Sequence, residues 1–555
     1  MSVPARAGPV LAGPVPAGTA FAGSVFAGTG ALARLAFRRD RIMLPAWVYV
    51  ITAAIASNSY SLNKLYPSAA ARADLAASGG RNPALVFLYG RLWGDSLGAV
   101  SAWRYGVWAA IFAALMSIFL VIRHTRADEE AGRLELVGSA AVGRLAALTA
   151  GLLVALAANV VLAVLLAVVL VVLSLPVAGS VAFALVITTC GVTFAAIAAL
   201  AAQLAASARA ARGIAIGVLG AAYLLRAVGD ASGAGGVSWL TWLSPLGWTE
   251  MLRPYTEDRW WVLALPLALT AAATAGAYVL VVLRDHGAGL LPDRPGAAAA
   301  SAWLRSPFGL AWRLQRGTLY GWAAGFAFTF AASGAAAKGI GSLLGGSSQL
   351  RNAFTRLGGQ AGITDAYLAA IMSLAGLAAA AYATSAVLRL RAEETGGQAE
   401  PLLATAIGRT RWGLSHIAVA VAGTAVLLAV AGVAAGLGYG LRTGSAGPEV
   451  ARLLGAALAQ LPASLAVAGA AVVLFGLAPR ASVAGAWTVV GVLVLIALFG
   501  QVLRLSQPIL DVSPFTHVPK LPGAAVTAGP LLWLSLAVLV LAAAGLAGLR
   551  HRDIG

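Results

Sequence analysis

Polar side chains gather at fixed spacing in two stretches of this chain, and both are suited to gripping a partner. The first is Arg126–Arg144, RADEEAGRLELVGSAAVGR; the second begins 265 positions later at Arg391–Arg409, RAEETGGQAEPLLATAIGR. Laid over each other without a gap, they share 8 of 19 residues. Acidic and basic groups on a short projecting helix can be held by a partner through charge-assisted hydrogen bonds. The residues singled out for that contact in the first island are Arg126, Glu129, Glu130, Gly132, Arg133, Glu135, Gly143 and Arg144. In the second they are Arg391, Glu393, Glu394, Gly397, Glu400, Gly408 and Arg409. Glu129 and Arg133 stand i,i+4, the order that favours an ion pair along a helix. Gly132 and Gly397 are placed to end a first turn, Gly143 and Gly408 a second. A solvated loop anchoring helix ends would also carry charges. The Glu–Gly–Glu–Gly–Arg pattern present in both islands argues for more than that.

Chemistry on the chain itself is not expected. The histidines, His124, His286, His416, His517 and His551, are scattered, and no H-E-x-x-H occurs. Cys190 is the only cysteine and reads as a small packing residue, so neither a disulfide framework nor a thiolate metal site is present. Lysine occurs only at Lys64, Lys338 and Lys520, never after a glycine, so there is no Walker A loop to cradle phosphates. No convincing Ser/His/Asp set is present. No catalytic, cofactor-binding or metal-ligating residue is therefore assigned, and any energy must come from outside.

The islands are held between long apolar runs. The 555 residues are 60% hydrophobic and 10% charged, with mean hydropathy +0.86 and net charge +18. Soluble domains carry roughly 25% charged residues, so composition alone places the chain in a membrane. The arginines are spread a few at a time between apolar runs, which serves topology rather than nucleic-acid binding. Stretches of about 20 apolar residues mark about twelve spans. They lie near 43–60, 99–122, 145–175, 177–206, 213–229, 261–283, 318–341, 364–388, 412–437, 452–477, 483–503 and 528–549. The expected fold is an all-α polytopic membrane protein with two parallel six-helix repeats, residues 31–300 and 301–555, after a disordered Ala/Gly/Pro tail over 1–30. Each half opens on an entry piece, LAFRRDRIMLPAW (35–47) and LAWRLQRGTLYGW (310–322). Residues 31–42, ALARLAFRRDRI, read as an amphipathic helix on the inner membrane surface, with Leu32, Leu35, Ala36 and Arg39 on one face and Arg34, Arg38 and Arg41 on another. With the N-terminus inside, Lys and Arg are in excess on that side, as the positive-inside rule requires. The outer loops then carry SPLGW at 244–248 and SPFTH at 513–517.

Ionisable groups deep in a membrane mark ion relays. Arg104, Arg226, Asp230, Lys338 and Asp365 fall at predicted span ends, where snorkelling to the interface is expected. A proton-driven carrier of the major facilitator type, the chief alternative, needs a mid-span carboxylate and a different loop between its second and third spans. A membrane enzyme using Asp74 and Asp95 is weaker still, because each acid sits singly beside an arginine. A pathway between the halves is expected to be lined by Asn58, Ser59 and Tyr60 in the first span and by Phe326, Phe330 and Ser333 in the seventh.

RADEEAGRLELVGSAAVGR, with LAFRRDR and the outer motifs SPLGW and SPFTHVPKLPG, resembles the actinobacterial ATP-binding-cassette type-2 permeases of the polyketide-antibiotic or multidrug exporter kind. The resemblance covers most of residues 31–549. It departs in the second island, where Gln398 stands for Arg133 and Pro401 for Leu136. It implies a transport subunit with no nucleotide site of its own. A separate ATPase, in two copies, would bind ATP and Mg and push the islands. Hydrophobic or amphipathic compounds such as antibiotics and drugs would leave the cell. The location implied is the bacterial plasma membrane, with both termini cytoplasmic.

Overall fold

Inside a bilayer a backbone must satisfy its own hydrogen bonds, and the long apolar runs do so as helices. The computed structural model describes residues 25–80, 83–133, 142–232, 236–285, 287–291, 298–344, 359–499 and 505–553, and among these there is no strand. Two compact units emerge: Met1–Pro67 with Tyr89–Arg294, and Ser68–Leu88 with Pro295–Gly555.

The first unit contains α1 (Thr29–Arg39) and α2 (Met43–Leu65). The short α3 (Ala69–Gly79) and most of α4 (Pro83–Tyr89) belong to the second unit, where Phe87 packs against Phe328 at a ring separation of 5.5 Å. The first unit resumes with α5 (Leu97–His124), α6 (Arg126–Glu130), α7 (Ala146–Val172), α8 (Val177–Leu204), α9 (Ala208–Ala231), α10 (Trp248–Met251) and α11 (Ala264–Leu283). The second unit continues with α12 (Pro307–Leu344), α13 (Gly359–Thr395), α14 (Ala399–Leu403), α15 (Arg409–Thr443), α16 (Ala446–Leu458) and α17 (Leu461–Leu477). It ends with α18 (Ser482–Phe499), α19 (Gln507–Leu510) and α20 (Ala528–His551).

Among the described residues nine helices are long and apolar enough to cross a membrane, or ten if the bent pair α1 and α2 forms one span. The expected seventh span falls short of that measure, because glycine, tryptophan, tyrosine and threonine dilute the apolar run of α12, whereas the expected eleventh, 483–503, reaches past the described residues.

The two entry pieces differ. α1 and α2 meet at a bend of 66°, whereas α12 runs unbroken from Pro307. Asp40, at the bend, is fully buried and bonds His124 and Arg123 at the end of α5. The aligned position in the second half is Gln315, a neutral side chain within a continuous helix, which bonds His416. A buried carboxylate has to be met by basic partners, and the turn at residues 40–42 brings Asp40 to them. The tail expected over 1–30 ends earlier than residue 30. Gly143 and Leu145 donate backbone hydrogen bonds to Ala27 and Val25, while residues 1–24 lie outside the described part.

Small residues set the closest helix contacts, as expected where lipid removes the hydrophobic drive between helices. On α15, Gly432, Gly436 and Gly440 form an i,i+4 stripe against the backbone of α16; a methyl added at Gly436 would collide with the Cα of Val450. Gly476 on α17 likewise meets Gly545 on α20, backbone to backbone.

Arg226 and Asp230 do not snorkel. Both are buried, 3.6 Å apart, at the end of α9. They are closed over by the chain around Gly90 and Arg91 and by α10. The backbone N–H of Arg91 donates to Glu250 at 2.8 Å, its guanidinium bonds the carbonyl of Gly229, and Thr241 donates to Asp230. Gly90 has φ +95°, and a side chain there would collide with Glu250. These connecting segments thus supply the partners that water was expected to provide. Burial, and then Asp230 beside it, hold the Glu250 carboxyl well above the usual carboxylate range.

Gly436→Leu should lower folded stability by about 1–3 kcal/mol through overpacking, read as a reduced Tm in detergent. The raised Glu250 carboxyl favours the folded state in its protonated form. Its contribution is full below the ordinary carboxylate pKa and lost as pH rises toward the folded-state value. The wild-type Tm should therefore fall as pH rises above the ordinary carboxylate range, with a shallower slope in Glu250→Gln.

Candidate functional site

α5 ends at Thr125, whose backbone (φ −119°, ψ −91°) leaves the helical region and starts the separate turn α6. This reorientation points Arg126 inward. The side chain is 1% exposed, and its guanidinium donates to the carbonyls of Ala206, Gly287 and Ala288 and to the carboxylate of Glu129. Those carbonyls belong to the α8–α9 connection and to the segment after α11. A planar guanidinium is the one side chain with enough fixed donors for this arrangement.

Glu129 grips Arg284, the residue that caps the C-terminus of α11, with both carboxylate oxygens at 2.7 Å. The same carboxylate accepts from the backbone of Gly287. Arg144 closes the clamp from the other side by donating to the carbonyl of Arg284 at 2.7 Å. Glu130 accepts from the N–H of Ala208, where the positive end of the α9 dipole favours an anion. Asp128 takes Arg39 from α1 and Arg133 from its own island, each at 2.8 Å. The expected Glu129–Arg133 pair does not form, because the turn at Gly132 brings Arg133 to Asp128 while Glu129 faces α11.

The second island makes the same clamp on different scaffolding. α13 runs without a break through Glu393 and Glu394. Glu394 binds Arg552, the C-cap of α20, with its two oxygens at 2.8 and 3.0 Å. Arg391 reaches Glu394 at 3.1 Å, as Arg126 reaches Glu129 at 3.0 Å. Arg409 donates to the carbonyl of Arg552 at 2.7 Å. Arg552 also lies over the ring of Phe475. Glu393 is buried against Arg389, Trp412 and His416. Gly132 and Gly397 both adopt φ +68°, the left-handed turn expected of them. Gly143 and Gly408 do not: Gly408 has φ −71° and stands at the N-cap of α15, so these glycines precede a helix rather than end one. Glu135 lies outside the described residues.

The island residues expected to couple to a partner divide into two groups. Arg126, Glu129, Arg391, Glu393 and Glu394 are spent inside their own units. Glu130, Arg133, Gly397 and Glu400 remain exposed at the tips. Arg284 and Arg552 were not singled out from the sequence, although RDHG (284–287) and RDIG (552–555) stand after the last span of each half. Of the expected pathway residues, Asn58 and Ser59 are buried in the first unit, and Phe326 and Phe330 pack with tilted rings 5.3 Å apart in the core of the second. Tyr60 is exposed beneath Lys64, and Ser333 is half-buried, bonding the carbonyl of Thr329. No group of His, Cys, Asp and Glu fit to hold a metal occurs among the described residues.

The whole chain has a close relative. It is 44% identical, over 527 residues and 95% of each chain, to the multidrug efflux system permease protein Rv1217c of Mycobacterium tuberculosis. The chain belongs to this multidrug efflux permease family. The family model for the C-terminal domain of that permease matches residues 304–550, from just before α12 to the end of α20. In this permease the second clamp therefore falls across the matched domain, with Arg552 just beyond its edge.

Removing one partner from a buried ion pair costs about 3–5 kcal/mol. Arg126→Ala should lose that order of stability in a chemical-unfolding measurement, and Arg126→Lys should recover only part of it, since an ammonium cannot span three carbonyls and a carboxylate.

Proposed function

We propose that this chain is the membrane-spanning permease subunit of an ATP-driven exporter for hydrophobic or amphipathic compounds such as antibiotics, including polyketides, and drugs. A separate ATP-binding-cassette ATPase, in two copies, docks on the islands and carries ATP and Mg; this chain holds neither. The observation behind this reading is the paired clamp: in each half a charged island with an exposed tip grips the end of the last long helix through a bidentate carboxylate–arginine bond. It is supported by the efflux function named for the 44% identical relative.

On this reading the ATPase presses the tips, at Glu130 and Arg133 in one half and Gly397 and Glu400 in the other. Glu129 and Glu394 hand that movement to α11 and α20. ATP binding by the partner then shifts the population toward an outward-open arrangement. The matching clamps favour two halves that arose by duplication. Arg39 bonding Asp128, and Arg552 bonding Glu394, tie residues near both ends to the islands, which favours both termini on the cytoplasmic side of the plasma membrane. Of the expected lining residues, Tyr60 is the exposed one.

The test is a gentle-detergent pull-down of the tagged chain from native membranes, with vanadate-sensitive ATPase activity as readout. A soluble ATPase should co-purify with wild type. The tip variant Arg133→Glu/Glu400→Lys should lose it. The clamp variant Glu129→Gln/Glu394→Gln should keep it bound but uncouple hydrolysis from transport by tenfold or more. A chain that purifies alone, with transport abolished by an uncoupler at constant ATP, would instead make this a secondary carrier.

A further inference from the structure

The bend between α1 and α2 opens two adjoining clefts in the first unit. One, of about 540 Å³, is bordered by Arg34, Arg38 and Arg41. The other, of about 630 Å³, runs between α2 and α7 along Leu44, Val161 and Leu165. Phe37 and Arg41 line both, so the basic mouth continues into an apolar slot. Each volume falls in the roughly 300–1,000 Å³ range of ligand clefts.

The three arginines at the mouth are exposed and make no ion pair or side-chain hydrogen bond among the described residues. The nearby acids cannot serve them. Asp40 is buried on Arg123 and His124, and Asp128 is taken by Arg39 and Arg133. Three guanidiniums on α1 and its bend thus lack a counter-charge among the described residues, beside a slot that water disfavours. A ligand complementary to both features carries an anion at one end and a hydrocarbon chain at the other. We infer that this cleft binds one anionic phospholipid, its phosphate held by Arg34, Arg38 and Arg41 and an acyl chain laid between α2 and α7. A soluble phosphate would satisfy the mouth and leave the slot empty; a protein segment would have to be acidic at one end and wholly apolar at the other. The site rests on membrane insertion alone and stands or falls independently of the exporter reading. Because α12 is unbroken where α1 and α2 bend, one such site per chain is expected.

The test is native mass spectrometry of the full chain in detergent, with phosphatidylglycerol or phosphatidylcholine added at equal concentration. Wild type should retain one phosphatidylglycerol in preference to phosphatidylcholine. A basic residue near an anionic lipid surface contributes roughly fivefold in affinity. Arg34→Gln/Arg38→Gln/Arg41→Gln should therefore weaken phosphatidylglycerol retention by at least tenfold, and the corresponding triple lysine variant should restore it. Val161→Trp, which fills the slot from a different helix, should lose the retained lipid with the arginines intact. If the triple glutamine variant does not fold, Arg38→Gln alone and Val161→Trp carry the test. Equal retention of the two lipids by wild type, or unchanged retention in Val161→Trp, overturns the site. So does displacement of the lipid by free phosphate, or by an amphipathic export compound with the same arginine dependence, which would make the cleft an anion site or a cargo entrance.

Discussion

The bidentate carboxylate–arginine bond at the end of the last long helix of each unit is the interaction on which the island architecture turns. Glu129 on Arg284 and Glu394 on Arg552 each anchor the end of a helix through the side chain of its C-cap arginine. Each is closed again from the opposite side, where Arg144 or Arg409 takes the clamped arginine's own carbonyl. Two parallel N–H···O bonds resist both sliding and rotation, so the island and its helix move as one piece. A single exposed ion pair would give neither the geometry nor the stiffness.

Around this shared device the units diverge. In the first, a broken helix turns Arg126 inward to bind three backbone carbonyls from two connections. In the second, a continuous α13 leaves Arg391 with Glu394 and gives the interior to Glu393, Trp412 and His416. The same divergence separates Asp40 from Gln315: the carboxylate accompanies a bend, the amide sits in an unbroken helix. Charge buried near a helix end thus goes with where the backbone turns.

The membrane character and most long helices were legible from hydropathy, because one backbone rule governs every span. The turns at Gly132 and Gly397 were legible too, since a left-handed residue beside an island is a local demand. The partners were not. Spacing along a helix pointed to Glu129 with Arg133, but the chosen partner, Arg284, is 155 positions away and depends on how α11 returns to the island. The clue lay in RDHG and RDIG, whose Arg–Asp–x–Gly pattern follows the last span of both halves. Arg226 and Asp230 escaped for a related reason. Position near a span end implied access to water, and nothing local announces that Gly90, Arg91 and Glu250 fold over them.

The segment Ser68–Leu88 is made before most of the first unit, yet it belongs to the second, the rest of which comes after the first. During synthesis, Phe87 waits for Phe328, some 240 residues later. The chain therefore cannot finish one half, set it aside and begin the other. Its early strap stays unsatisfied until α12 appears, and a version split between the halves would have to recapture that strap from a separate polypeptide. This threading gives one continuous gene an advantage over two half-length ones.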